Sequence, residues 1–168
     1  MRVLGLDPGT AILGYGLVAY DGHDYECLDH GVIRTPPGTP LAERLVTIHT
    51  ELEALIRRAR PDQIAVEELF FSRNAKTALA VGHARGVILL AIAESGYTAY
   101  EYTPMQIKQA LVGYGGADKV QMQTFLKMLL GMDSIPRPDD AADALAVAIC
   151  HCNSQRLDEL ASRARSGW

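Results

Sequence analysis

The chain has 168 residues, 48% of them hydrophobic and 21% charged, which suits one globular domain and excludes a disordered polymer. Its apolar stretches fall short of the roughly 20 residues a membrane span requires, and Arg2 leads straight into a strand-like run, so a cytoplasmic protein without anchor or leader is expected. A formal net charge of −4 argues against a broadly basic surface, so any contact with nucleic acid falls to local clusters of Lys and Arg.

In chain order, Val3–Asp7 reads as a buried strand stopped by Pro8-Gly9. Leu13–Tyr20 and Tyr25–Arg34 read as two further strands joined by the hairpin turn Asp21-Gly22-His23-Asp24. After Pro36-Pro37-Gly38, Leu41, Leu45, Ile48, Leu52, Leu55 and Ile56 recur at helical spacing until Pro61. Gln63–Glu67 is another buried strand, running into Glu68-Leu69-Phe70-Phe71. A long helix rich in small residues follows from about Ala75 to Ala93, then a strand over Tyr97–Tyr102. Pro104 opens a short helix through Leu111, Gly113-Tyr114-Gly115-Gly116 forms a loop, and Val120–Leu130 and Asp139–Cys152 complete the helices. Residues 153–168 are polar and expected to form a flexible tail, leaving residues 1–152 as the single domain. Strands joined by hairpins and then alternating with helices predict an α/β domain whose mixed sheet is covered on both faces.

The three cysteines and five histidines show no metal-ligand or disulfide spacing, so zinc and a disulfide framework are not expected. The acids are more informative. Asp7 ends the first strand, where a site in an α/β sheet is usual, although an Asp at that place also suits a turn. Glu67 and Glu68 end an otherwise apolar strand and point to opposite faces, and periodicity alone leaves open which of them faces a site. Asp139, Asp140 and Asp143 open the last helix, where acids also act as caps. Asp139 fits that capping role, whereas Asp140 and Asp143 share a face and can hold one cation together. Such carboxylates supply oxygen ligands only, the set that suits Mg²⁺ or Mn²⁺ and the two-metal hydrolysis of phosphodiesters.

Gly5-Leu6-Asp7-Pro8-Gly9-Thr10, Val66-Glu67-Glu68-Leu69-Phe70 and Asp140-Ala141-Ala142-Asp143-Ala144-Leu145-Ala146 resemble the acidic motifs of the RuvC-type Holliday junction resolvases. Ala84-Arg85-Gly86, Gln106-Ile107-Lys108-Gln109, Val112-Gly113 and Lys119 match that family in order and spacing, and the likeness covers residues 1–152. The resemblance implies a ribonuclease H-like fold with a five-stranded mixed sheet, a homodimer, and cleavage of four-way DNA junctions by paired nicks in recombination and repair. It implies Asp7, Glu67, Asp140 and Asp143 as ligands of two Mg²⁺ ions per site, with Mn²⁺ able to substitute. It thereby favours Glu67 over Glu68, and Asp140 stands where some members carry His. In-line displacement would leave 5′-phosphate and 3′-hydroxyl ends, with Lys119 and Lys108 supplying positive charge near the scissile phosphate. Phe70, Phe71, Arg73, Asn74 and Lys76 form an aromatic and basic segment suited to DNA, in which the resemblance assigns Phe70 to stacking on junction bases. The resemblance also implies the branch-migration proteins RuvA and RuvB as partners. The small-residue helix around Gly82 and Gly86 is the expected dimer surface.

Three competing readings share the fold. An actin-like ATP-binding protein requires a duplicated domain, for which the chain holds no repeat. A catalytically silent DNA-binding protein would have lost an acidic residue, and all four are present. A nuclease for RNA–DNA hybrids or flaps is separated only by the family likeness.

Overall fold

The computed structural model describes residues 1–68 and 75–166. Strands β1 (Arg2–Asp7), β2 (Ile12–Tyr20) and β3 (Tyr25–Arg34) form an antiparallel meander, followed by α1 (Leu41–Ala59). Next come β4 (Gln63–Glu67), α2 (Ala75–Glu94), β5 (Ala99–Tyr102), α3 (Pro104–Val112), α4 (Lys119–Leu129) and α5 (Asp139–Ser166). The sheet order is β3-β2-β1-β4-β5, with β4 parallel to both β1 and β5, so the expected five-stranded mixed sheet is present.

Alternation along the strands divides the interior in two. Leu4, Leu6, Ile64 and Val66 join Ile48, Leu52, Ile88 and Ile92 in a core under α1 and α2. Val3 and Ala65 join Ile107, Leu126, Leu145 and Ile149 in the core under α3, α4 and α5.

Local signals fix the helices near the carboxyl ends of the strands. Thr103 and Gln106 form a capping box that starts α3, and Gly113 closes it in the left-handed region at φ 82°. Asp118 and Gln121 form a second capping box at the start of α4. These reciprocal hydrogen bonds satisfy N–H groups that the first turn of each helix leaves open.

Two elements differ from the sequence reading by more than one residue. Strand β5 begins at Ala99, since Ser95, Gly96 and Tyr97 are spent in closing α2, their N–H groups donating to Ala91, Ala93 and Ile92. Helix α5 runs past the expected end at Cys152 to Ser166. Nothing from Asn153 to Ser166 breaks a helix, and Asn153 is anchored, its Nδ2 donating to the Ala110 carbonyl at 3.0 Å while its Oδ1 accepts from the Tyr25 hydroxyl.

His151 is fully buried beneath the sheet edge. Its Nε2 lies 2.7 Å from Gln63 Oε1 and its Nδ1 lies 2.8 Å from the Tyr102 hydroxyl. The neutral ring satisfies both, Nε2–H donating to the amide and Nδ1 accepting from the hydroxyl. Burial pushes its pKa down to about 4, so the ring stays neutral and ties α5 to β4 and β5. Cys27, Cys150 and Cys152 are free thiols. Among the described residues no helix is long and apolar enough to cross a membrane.

Candidate active site

The acidic motifs meet where β1 and β4 end side by side. Leu6 pairs with Val66 in the parallel ladder, so the next residues, Asp7 and Glu67, emerge together at one sheet edge. Val3 and Ala65 face α5, and two-residue alternation therefore turns Asp7 and Glu67 to that side and Glu68 to the other. The ambiguity between Glu67 and Glu68 is thus removed by the pairing of β4 rather than by its own pattern.

Close approach of α5 delivers the helical acids. A Cβ on Gly5 would lie 2.1 Å from the Ala144 carbonyl oxygen, and one on Gly14 would lie 2.0 Å from that of Asp140. Only glycine lets the backbone of α5 rest on β1 and β2 at that distance. The helix meets them with Ala141, Ala144 and Ala148, all fully buried. Asp140 and Asp143 are thereby set over the end of β1.

A cavity of about 300 Å³ lies in front of these strands, with Asp7, Glu67, Asp143, Lys108 and Lys119 on its wall beside Ile107 and Met122. Asp140 does not line it, yet its charge still acts on Asp7. Burial first, then the charges of Glu67, Asp143 and Asp140, push the Asp7 pKa up to about 8, and a hydrogen bond with Glu67 adds to the rise. Burial and the Asp143 charge also raise Glu67, while the Asp7 hydrogen bond and the Lys108 charge oppose the shift. Burial raises Asp143, and Lys119, with its Nζ 3.6 Å from Asp143 Oδ2, opposes that rise. The Lys119 ammonium is itself held above its ordinary pKa, first by its hydrogen bond to Asp139 and then by Asp143.

The site is therefore a half-buried cluster of carboxylates whose mutual repulsion a bound cation would relieve. Every candidate donor is a carboxylate oxygen, which is the donor chemistry of Mg²⁺ and Mn²⁺. Among the described residues, one group has its potential ligand atoms all within 4.8 Å of one another, and it is not the acids of this cavity but His49, Glu53 and Glu94. It sits on α1 and α2, across the sheet from the cavity, with His49 Nε2 2.7 Å from Glu94 Oε2 and Nδ1 3.7 Å from Glu53 Oε2. The sequence reading missed this group, because its third member comes from a helix 41 positions beyond Glu53 and no local spacing links them.

Lys108 on α3 and Lys119 at the start of α4 both line the cavity. Phe70, Phe71, Arg73 and Asn74 lie outside the described residues, and Lys76 belongs to α2 with its side chain outside the description. Asp139, which the sequence places in the first turn of α5 as a capping acid, also carries an ion pair, with Lys119 Nζ 3.0 Å from its Oδ2. No local spacing announces that contact, since the partners are 20 residues apart on different helices.

The family model described as crossover junction endodeoxyribonuclease RuvC matches residues 3–151. A relative of that description from Ruminiclostridium cellulolyticum is 53% identical over 160 residues, spanning 95% of this chain and 96% of its own. One from Heliobacterium modesticaldum is 57% identical over 154 residues, 92% of this chain and 95% of its own. Among solved structures, Thermus thermophilus RuvC superposes with a TM-score of 0.87 at 41% identity, covering 94% of this chain and 97% of that one. The same protein in complex with Holliday junction substrate gives 0.86 at 39% identity, covering 94% and 96%. The yeast mitochondrial Holliday junction resolvase Ydc2 shares the fold alone, with a TM-score of 0.72 at 14% identity over 99% of this chain and 84% of its own. The ribonuclease H-like architecture, the family-model match over residues 3–151 and relatives covered nearly end to end lead to one assignment. This chain belongs to the RuvC family of crossover junction endodeoxyribonucleases.

Proposed function

We propose that this protein resolves four-way DNA junctions by paired symmetric nicks, with Asp7, Glu67, Asp140 and Asp143 as the ligands of two divalent cations. The observation that carries the reading is the gathering of Asp7, Glu67 and Asp143 with Lys108 and Lys119 in one cavity. The all-oxygen donor set fits Mg²⁺, with Mn²⁺ as a substitute. When bound, such cations supply Lewis-acid polarisation of the phosphate and activation of water.

The chain's own groups then orient the substrate. Lys119, tied to α5 through Asp139 and Asp143, presents a fixed positive charge to a phosphate oxygen, and Lys108 offers a second from α3. Ile107 and Met122 give the cavity an apolar wall, which lowers the local dielectric and strengthens each of these interactions. Phe70, Phe71, Arg73, Asn74 and Lys76, following Glu67 in sequence, are proposed to stack on unpaired bases and track the backbone. The Thermus relative seen with junction DNA supports the choice of substrate.

Symmetric nicks call for two sites related by a twofold axis, and α2 offers a surface for that. Leu79 and Leu90 are 64% and 51% exposed, and a Cβ on Gly82 or Gly86 between them would meet nothing within 4 Å. These residues share one helix face, where small residues permit two helices to approach closely. RuvA and RuvB are proposed as partners on family likeness, acting in the cytoplasm.

Cleavage of an end-labelled synthetic four-way junction in Mg²⁺ tests the reading. Paired cuts in opposing strands that a ligase can seal are expected. Efficient cutting of an RNA–DNA hybrid with the junction left whole would overturn the substrate while sparing the chemistry, and binding without cutting in either metal would overturn the enzyme.

A further inference from the structure

We propose that Asp139 is a positioning residue for the reaction set out above, on which this inference rests: it fixes the Lys119 ammonium at the rim of the acidic cavity. Asp139 is the first residue of α5, beside Asp140 but directed to α4. Its two oxygens are divided between different donors. Oδ1 accepts from the buried Gln123 amide, Nε2 at 3.1 Å, and from Arg137 Nη1 at 2.5 Å. Oδ2 is left for Lys119 Nζ at 3.0 Å.

Lys119 and Gln123 lie four residues apart and so share one face of α4. The carboxylate thus clasps α4 at two points, one charged and exposed, the other neutral and only 7% exposed. A lone exposed Lys–Asp pair would restrain the lysine weakly. Here the carboxylate is itself immobilised, so the direction of Lys119 is set by the docking of two helices. Asp143 Oδ2 lies 3.6 Å from the same ammonium, beyond hydrogen-bond length, which leaves N–H capacity for a phosphate oxygen. An Asn at 139 keeps the shape but has a single acceptor oxygen for three donors, and its amide would repel one of them.

The test compares the full-length wild type with Asp139→Asn in two ways. Side-chain NMR of Lys119, without DNA, is expected to show restricted motion in the wild type and the averaged signal of a free surface lysine in the variant. In single-turnover junction cleavage, Asp139→Asn is expected to lose about tenfold in rate, as misplaced catalytic groups do, with junction Kd changed by less than about twofold. In a Lys119→Met background the same substitution is expected to cost less than about twofold, because groups acting as a unit are not additive. Gln123→Met, which leaves both charges in place, is expected to give a smaller loss of the same kind.

An unchanged Lys119 signal, an unchanged rate, or an equal loss in both backgrounds would overturn the proposal in favour of a purely structural pairing. Absence of cleavage by the wild type would instead sink the junction reading, while NMR still decides whether Asp139 holds Lys119.

Discussion

Asp7 is the residue on which the site's electrostatics turn, because it ends a buried strand and faces three other acids. Its pKa in the folded chain rises from 3.8 to about 8, so between those limits the folded state retains a proton that the unfolded chain releases. The folded state therefore binds more protons, and stability in metal-free buffer falls as pH rises through that window. Glu67 and Asp143, also raised, act in the same direction. Asp7→Asn is accordingly expected to stabilise the metal-free protein at pH 8 by about 1–3 kcal/mol while abolishing cleavage, the usual trade between stability and activity. Thermal unfolding of both proteins at pH 5 and pH 8 checks this, and the difference should shrink at the lower pH. Added Mg²⁺ should raise the melting temperature of the wild type but much less that of the variant, since only binding to the folded site stabilises it. An Asp7→Asn protein less stable than wild type at pH 8 would refute the assigned cause.

At the scale of elements, the site depends on how closely α5 lies on the sheet. Gly5→Ala would drive a Cβ into backbone rather than into a yielding side chain, so α5 must shift. A loss of about 1–3 kcal/mol or more is expected, read as a lower denaturant midpoint, together with a loss of cleavage because Asp140 and Asp143 move with the helix. Most elements were legible in the sequence because each is punctuated locally: Pro8-Gly9 after β1, Pro104 at the start of α3, Gly113 at its end. The acidic motifs were legible for the same reason, since each interrupts an apolar pattern. Other features were not, because they arise from pairing between distant segments. The side taken by Glu67 is set by the register of β4 on β1. The contacts of Asp139 and the grouping of His49 with Glu94 each need two helices brought together. The length of α5 escaped because its second half is polar and charged, as fraying ends are, although nothing in it breaks a helix and Leu157, Leu160, Ala161 and Ala164 keep helical spacing.

For the whole molecule, a net charge of −4 must be reconciled with a polyanionic substrate. The four proposed ligands equal that charge in number, so cations at the site would leave the rest of the surface near balance, with Lys108 and Lys119 beside the cavity. Junction affinity is expected to fall with salt, and Lys108→Ala should lower the log–log slope by about one unit, as loss of one phosphate contact does. Fluorescence anisotropy across a salt series measures this, and an unchanged slope would remove Lys108 from the DNA contacts. The exposed α2 face predicts a dimer, so Leu90→Glu should shift sedimentation at micromolar concentration from dimer toward monomer. A wild type already monomeric there would discard α2 as the interface.

The acids at the ends of β1 and β4 and the start of α5 are proposed to hold the catalytic cations. Anomalous diffraction from crystals soaked in Mn²⁺ tests this most directly. Two peaks are expected between the ends of β1 and β4 and the start of α5, ligated by Asp7, Glu67, Asp140 and Asp143 and abolished or halved in Asp7→Asn. Manganese found only between His49, Glu53 and Glu94, with the cavity empty, would contradict the proposal.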